Sequence, residues 1–385
     1  MSGAHQDLRR GVREVCARFP DRYWRELDAV RRYPEEFVGA MTEAGYLAAL
    51  IPEEYGGMGL DLAAACAILE EVNRSGANAG PAHAQMYTMG TLLRHGSERQ
   101  KNEYLPKIAS GELRLQAFAV TEPEAGTDTA SVRTTARRSP AGDHYVVNGR
   151  KIYISRVEHS DLMILLARTT PREEVAKRTE GLSVFLVDLR EAVGDGLTVN
   201  PRRVMMNNAT NELFFEGLRV PARNLVGEEG QGFRYILDGM NAERILISAE
   251  CLGDGRFFID RATARAKERE VFGRPLGKNQ GVQFPIARAY ASVEAATLMV
   301  GRAASLFDRG EPCGAEANLA KLLAADASWE AANTAVQTFG GYGFDAEYDV
   351  ERKFRETRLY QVAPISTNLI LSYLAEHVLG LPRSF

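Results

Sequence analysis

Across residues 5–112 the apolar positions return every three to four residues. Leu62, Ala65, Cys66, Leu69 and Val72 trace one such face, and Gly45, Gly76 and Gly96 punctuate the pattern, which predicts a helical first third. Residues 51–59, Ile-Pro-Glu-Glu-Tyr-Gly-Gly-Met-Gly, read as a rigid connector within it. From Phe118 to about Val226 the period shortens. Phe118 and Val120 alternate, and residues 162–166, 182–187 and 213–220 form short apolar runs rich in β-formers. No segment between them is long enough for a crossover helix, so an antiparallel sheet or small barrel is expected rather than a doubly wound sheet. Asn148-Gly149 lies between two of the β-rich runs and predicts a tight hairpin. From Gly227 onward Ala, Leu, Glu and Arg dominate and helices resume. The expected class is α+β, with an all-α domain over 1–115, a middle β-domain over 116–226 and a helical domain over 227–385.

Composition narrows the function classes. The chain has 385 residues, 45% hydrophobic and 25% charged, enough for two or three domains with sizeable cores. A net charge of −4, with basic residues dispersed, argues against nucleic-acid and membrane-surface partners. No run of about 18 apolar residues is present to span a bilayer. Acidic residues among the N-terminal arginines, without an apolar segment, speak against a transit or secretory peptide, so the cytosol is the expected compartment. Cys16, Cys66, Cys251 and Cys313 are far apart, which indicates neither a disulfide framework nor a metal site.

The stretch that carries chemistry most directly is residues 116–128, Gln-Ala-Phe-Ala-Val-Thr-Glu-Pro-Glu-Ala-Gly-Thr-Asp. A strand running into a turn with hydroxyls and free backbone N–H groups suits a flat, hydrogen-bonding heterocycle with an anionic tail, and equally suits a plain surface turn. On the helix after Gly232, Phe233, Ile236, Met240, Ile247 and Cys251 keep spacings of three and four, and Glu243 is the position that breaks the apolar ladder. A carboxyl on a buried stripe has its pKa lifted toward the range useful for a base, although a structural Glu paired to an Arg fits the same pattern. Adjacent Arg244 points about 100° away and is free to serve another ligand. Residues 267–280 form a helix end and a Gly/Pro turn dense in guanidinium and amide donors, either a pyrophosphate site or a solvated loop. Residues 337–343, Gln-Thr-Phe-Gly-Gly-Tyr-Gly, allow close backbone approach or a helix C-cap. Ser366, Thr367 and Asn368 are good starts for a last helix.

Together these stretches, in this order and with Asn148-Gly149-Arg150-Lys151-Ile152-Tyr153-Ile154-Ser155, Arg219-Val220-Pro221 and Gly227-Glu228-Glu229-Gly230-Gln231-Gly232-Phe233, closely resemble the acyl-CoA dehydrogenase family from Pro52 to the final helix. The resemblance implies an α-helical N-terminal domain, a middle antiparallel β-domain and a C-terminal four-helix bundle, assembled as a homotetramer that is a dimer of dimers. It implies FAD between the middle and last domains, with a neighbouring subunit completing the site. By position, Phe118, Val120, Thr121, Tyr153 and Ser155 match flavin-side residues, and Thr127 one shared with the CoA thioester. Arg269, Phe272, Gln280, Gln337, Gly340 and Gly341 match residues that hold the adenine dinucleotide. Ser366 and Asn368 match a last pair at the cofactor, and Asn241 and Arg244 residues near the CoA moiety.

One departure sharpens the reading. Most of the family carries its catalytic Glu in a Tyr-Glu-Gly-Thr segment before the final helix, where this chain has Val362-Ala363-Pro364-Ile365-Ser366. A minority, including isovaleryl-CoA and long-chain dehydrogenases, places the base where Glu243 stands. Tyr153 in place of the commoner Trp and Arg156 in place of a small residue or Asn are milder departures. The implied reaction is FAD-dependent α,β-dehydrogenation of an acyl-CoA to a trans-2-enoyl-CoA: Glu243 takes the α-proton, flavin N5 accepts the β-hydride, and electrons pass to an electron-transfer flavoprotein. The rival expectations are a flavin-dependent monooxygenase or oxidase of the same fold, and a non-catalytic acyl-CoA-binding flavoprotein.

Overall fold

The structure, a computed structural model, describes residues 5–383. Six helices open the chain: α1 (Gln6–Ala17), α2 (Asp21–Val30), α3 (Glu35–Glu43), α4 (Leu62–Arg74), α5 (Gly80–His95) and α6 (Glu98–Ser110). Strands follow: β1 (Leu115–Ala119), β2 (Thr135–Arg138), β3 (His144–Ser155), β4 (Leu162–Arg168) and β5 (Leu182–Asp188), then the short α7 (Leu189–Ala192), β6 (Leu197–Pro201), β7 (Thr210–Pro221) and β8 (Leu225–Val226). The last part holds α8 (Gly232–Glu268), a two-strand ribbon β9 (Glu270–Val271) and β10 (Arg274–Pro275), and helices α9 (Gln280–Asp308), α10 (Gly314–Phe339), α11 (Val350–Thr357) and α12 (Thr367–Tyr373).

The opening helices do not cluster with one another. Arg31–Leu60 and Gly80–Met240 form one compact unit, so α3, α5 and α6 belong with the sheet. A second unit gathers α1, α2 and Asp61–Ala79 with the described residues from Asn241 to Arg383. Helix α4 shows why periodicity alone does not predict this clustering: Ala64 to Asn73 are all buried, so the helix has no solvent side.

In the first unit the sheet runs β6-β7-β3-β2-β4-β5-β8, with β1 also on β4. Pairings are antiparallel except β1 with β4 and β2 with β4, which are parallel. Alternation sends Leu162, Ile164 and Leu166 into a core on one face, with Leu92, Leu105 and Tyr235, while Met163, Leu165 and Ala167 face a second core with Tyr145, Phe185 and Phe215. Strands buried on both faces read as unbroken apolar runs.

The Asn148-Gly149 hairpin expected from the sequence is not formed. Both residues lie inside β3, which stays paired with the equally long β7 and slips register between Val147 and Asn148. The Asn148 Oδ1 accepts from the Gly217 N–H at 2.8 Å. Gly149 has φ 149°, and a Cβ there would stand 2.5 Å from Thr134 Oγ1. The pair therefore marks a bulge and a close crossing rather than a turn.

The second unit is helical, with a core of Phe257, Phe258, Ala289, Ala331, Ala335 and Val350 from α8, α9, α10 and α11. Polar groups fasten it as well. Lys353 on α11 reaches Asp254 (2.6 Å) and Glu356 (3.0 Å), and Arg352 reaches Glu356 (3.0 Å) and Asp349 (3.2 Å), all of them buried. Tyr360 donates to Glu250 at 2.9 Å and accepts from the Asn73 amide at 3.0 Å. No helix among the described residues is long and apolar enough to cross a membrane, and the four cysteines are buried and free.

Candidate active site

In the sheet unit, one buried lysine assembles the loop after β1. Lys151 Nζ donates to the Val120 carbonyl (2.8 Å) and to Glu122 (2.9 Å), and the Ile152 N–H donates to the Thr121 carbonyl (2.9 Å). Glu122 also accepts from the backbone N–H groups of Arg133 (2.7 Å) and Thr134 (2.9 Å). Burial opposes the Glu122 charge, but Lys151 and these donors outweigh it and hold the carboxyl below its ordinary range. Burial pushes Lys151 down to about 8 against the pull of Glu122, so the pair is ionised at neutral pH. The consequence is positional. Val120 and Thr121 are pinned beside Lys151 and Ile152, which places them next to the segment carrying Tyr153 and Ser155.

Tyr153 lies at a second register slip of β3 against β7, between Lys151 and Ile154. Its φ of 59° is left-handed, and the ring is 59% exposed. A bulge that turns an aromatic outward from a sheet is a device for presenting it to a ligand. Ser155 is half-buried and accepts from the Asn208 amide at 2.8 Å. Phe118 packs edge-on to Tyr87 at 5.4 Å between ring centres. Thr127 is exposed, next to Asp128, which pairs with Arg178 and accepts from Ser131 at 2.5 Å.

A cavity of about 480 Å³ at Ser131 is lined by Arg133, Arg137, Arg168, Arg172 and Arg178, with Glu173 as its one acidic side chain. The Arg168 guanidinium donates to the carbonyls of Ala130 (3.0 Å), Val132 (3.2 Å) and Glu180 (3.1 Å), stitching the loop after β1 to the loop after β4. Sequence reading did not find this cavity, because its arginines come from segments that only the parallel pairing of β2 with β4 brings together.

In the helical unit, Glu243 is buried, 7% exposed, as its place on the ladder predicts. Ile247 (5%) and Cys251 (0%) continue the stripe inward. Arg244 donates to the Asn241 side chain at 3.0 Å, so two expected substrate residues meet directly. Burial pulls the Arg244 pKa down, with Glu243 and Tyr373 opposing, and its Nε is buried without a hydrogen-bond partner among the described residues. The segment that lacks an acid, residues 362–365, is held by Lys321, which donates to the carbonyls of Tyr360 (2.5 Å) and Ile365 (2.8 Å). The Ser366 hydroxyl then caps α12 by accepting from the Leu369 N–H at 3.4 Å, as the sequence implied, and Asn368 is exposed on its first turn.

Arg269 closes α8, and Phe272 and Gly273, with φ of 54° and 75°, form the two-residue tip between β9 and β10. Left-handed dihedrals at both positions are the geometry of a tight hairpin. Phe272 is 100% exposed, an unusual place for an apolar ring, and Gln280 is exposed at the start of α9. One turn before Arg269, the Arg265 guanidinium lies over Tyr342 (4.7 Å) and Phe339 (5.5 Å), which ties this corner to the end of α10. Gln337, Gly340 and Gly341 are exposed there, and a Cβ on either glycine would meet open space.

Models of the acyl-CoA dehydrogenase N-terminal, middle and C-terminal domains match residues 2–112, 117–218 and 230–379. The acyl-CoA dehydrogenase FadE12 of Mycobacterium tuberculosis H37Rv is 34% identical over 387 residues, covering 100% of this chain and 98% of its own. This chain belongs to the acyl-CoA dehydrogenase family. Among solved structures, a glutaryl-coenzyme A dehydrogenase complex with glutaryl-CoA superposes with a TM-score of 0.92 at 31% identity, over 100% of this chain and 97% of the other. Butyryl-CoA dehydrogenase from Megasphaera elsdenii gives 0.90 at 29% identity, over 98% and 100%.

As an acyl-CoA dehydrogenase homologue the protein is an FAD-dependent oxidoreductase, and its side chains fit that cofactor. The sheet unit offers hydroxyls at Thr121 and Ser155 beside an outward aromatic, the donor set for a flat heterocycle. The helical unit offers a guanidinium, two amides and open glycine backbone, the donor set for an anionic dinucleotide tail.

Proposed function

We propose that the protein oxidises an acyl-CoA thioester to the trans-2-enoyl-CoA, with Glu243 as the base that removes the α-proton. The observation that carries this reading is a carboxylate buried on α8, while the segment before α12 has Ala363 and Pro364 and no acid. A carboxylate held in place on a helix, away from bulk water, can serve as general base toward a weakly acidic C–H brought against it. FAD supplies the hydride acceptor for the β-carbon. Arg244 and Asn241 hold the thioester end of the substrate, and the buried Arg244 Nε, without a hydrogen-bond partner among the described residues, is a donor left for it. The arginine-lined cavity at Ser131 takes the phosphates of CoA, which guanidinium groups bind in bidentate fashion. An electron-transfer flavoprotein removes the electrons, and the setting is cytosolic fatty-acid metabolism in a homotetramer. The domain division that goes with this reading is 1–115, 116–226 and 227–385.

The test is anaerobic mixing of the FAD-loaded protein with acyl-CoAs of graded length and branching, read as loss of flavin colour. The wild type bleaches with its preferred substrate. Glu243→Gln, which keeps the shape and removes the base, bleaches roughly 10²–10⁴-fold more slowly. Bleaching of Glu243→Gln at the wild-type rate contradicts the assignment.

A further inference from the structure

Arg156 is buried at 9% exposure directly after the last residue of β3. Its backbone is left-handed (φ 61°), which ends the strand and starts a single helical turn over Val157–His159. Three bonds to the Arg156 backbone hold this corner: its N–H donates to the Ala209 carbonyl (2.8 Å), and its carbonyl accepts from the His159 N–H (3.2 Å) and the Ser160 hydroxyl (2.8 Å). The guanidinium is turned toward the segment before β7, where Nη2 donates to Asn208 Oδ1 at 2.7 Å. The other end of the same amide, Asn208 Nδ2, donates to Ser155 Oγ at 2.8 Å.

The order of donors in this chain is fixed by chemistry. A guanidinium has no acceptor, so the Asn208 atom facing it must be oxygen. The atom facing Ser155 must then be the NH₂ group, which only donates. Ser155 Oγ therefore receives a hydrogen bond from inside the protein, and its own proton is left to point away from Asn208. A serine hydroxyl in isolation rotates freely between donor and acceptor roles; this one is held in a single role.

We propose that Arg156 and Asn208 are positioning residues that lock the Ser155 hydroxyl as a hydrogen-bond donor toward the flavin ring. The proposal rests on the reading of Ser155 as a flavin-side residue and adds the polarity of its contact. A donor of fixed direction favours an acceptor atom on the ring and disfavours a ring N–H at the same place. The relay thus sets which edge of the heterocycle is accepted and biases the cofactor between its oxidation states. The buried cation at its inner end polarises the amide and strengthens the donor.

Asn208→Asp tests this with almost no change of shape. Aspartate has only acceptors, so it keeps the Arg156 contact as an ion pair and captures the Ser155 proton, reversing the hydroxyl. The readouts are FAD affinity of the apoprotein by titration, the visible absorption band of bound flavin, and its midpoint potential. Loss of one neutral hydrogen bond predicts FAD affinity weaker by about 5–10-fold, with a shifted band and potential. Ser155→Ala gives the same changes, and the double variant is no worse than either single one. Arg156→Lys, still a pure donor, retains wild-type flavin properties, which also serves if Asn208→Asp fails to fold. The proposal is overturned if Asn208→Asp keeps wild-type affinity, band and potential while Ser155→Ala alters them, or if Arg156→Lys folds and loses them. If Ser155→Ala changes none of the three, Ser155 does not face the cofactor, and the underlying placement fails before the relay does.

Discussion

Two fully buried lysines, one in each compact unit, show how differently the same device is used. Lys353 in the helical unit meets two carboxylates, Asp254 and Glu356. Burial opposes its charge, but those acids outweigh the penalty and raise its pKa. Lys151 in the sheet unit meets one carboxylate, Glu122, and a carbonyl, and burial brings it down to about 8. The first is a fixed strut between α8 and α11. The second is poised near neutrality and fastens the loop that carries Thr121. What decides the difference is the number of opposing charges within reach, since burial is complete in both.

Removing each cation separates the two roles. Lys353→Met strands Asp254 in a buried interior, leaving Glu356 its pair with Arg352, and is expected to cost about 3–5 kcal/mol in denaturant unfolding. Lys151→Met leaves Glu122 its two backbone donors, so the cost is smaller, about 2–3 kcal/mol, with FAD affinity falling more than global stability. Equal losses in both variants, with FAD affinity untouched in Lys151→Met, would erase the contrast.

The pH dependence sharpens it further. Lys151 has a folded pKa of about 8 against an ordinary 10.5, so between those values the unfolded chain holds more protons and the stability contribution rises with pH. Asp254 is pushed by burial to about 7 from an ordinary 3.8, so between those values the folded chain holds more protons and its contribution falls as pH rises. Difference curves of unfolding midpoint against pH are expected to lose the alkaline slope in Lys151→Met and the acid-side slope in Asp254→Asn. Slopes of the same sign at both sites would contradict the account.

Much of this organisation was legible in the chain, for identifiable reasons. The Glu243 ladder, the runs of β4 and β5, and the Ser366 cap are local patterns, and local patterns survive folding. The Asn148-Gly149 pair misled because the same residues serve a turn or a bulge, and the length of β7, far along the chain, chose the bulge. The allocation of α4 to the helical unit and α5 to the sheet could not be read, since periodicity says that a helix buries a face but not against what. The Glu122–Lys151 clasp, the Arg168 stitches and the Arg156–Asn208–Ser155 relay join residues tens of positions apart, and no spacing announces such pairs.

The central claim, that Glu243 moves the α-proton, is most directly measured without the redox step. The FAD-loaded protein is incubated in D₂O with an acyl-CoA analogue whose β-carbon cannot give up hydride, and deuterium at the α-carbon is followed by mass spectrometry. The account predicts exchange by the wild type and none above background by Glu243→Gln. Exchange by Glu243→Gln at the wild-type rate would contradict it.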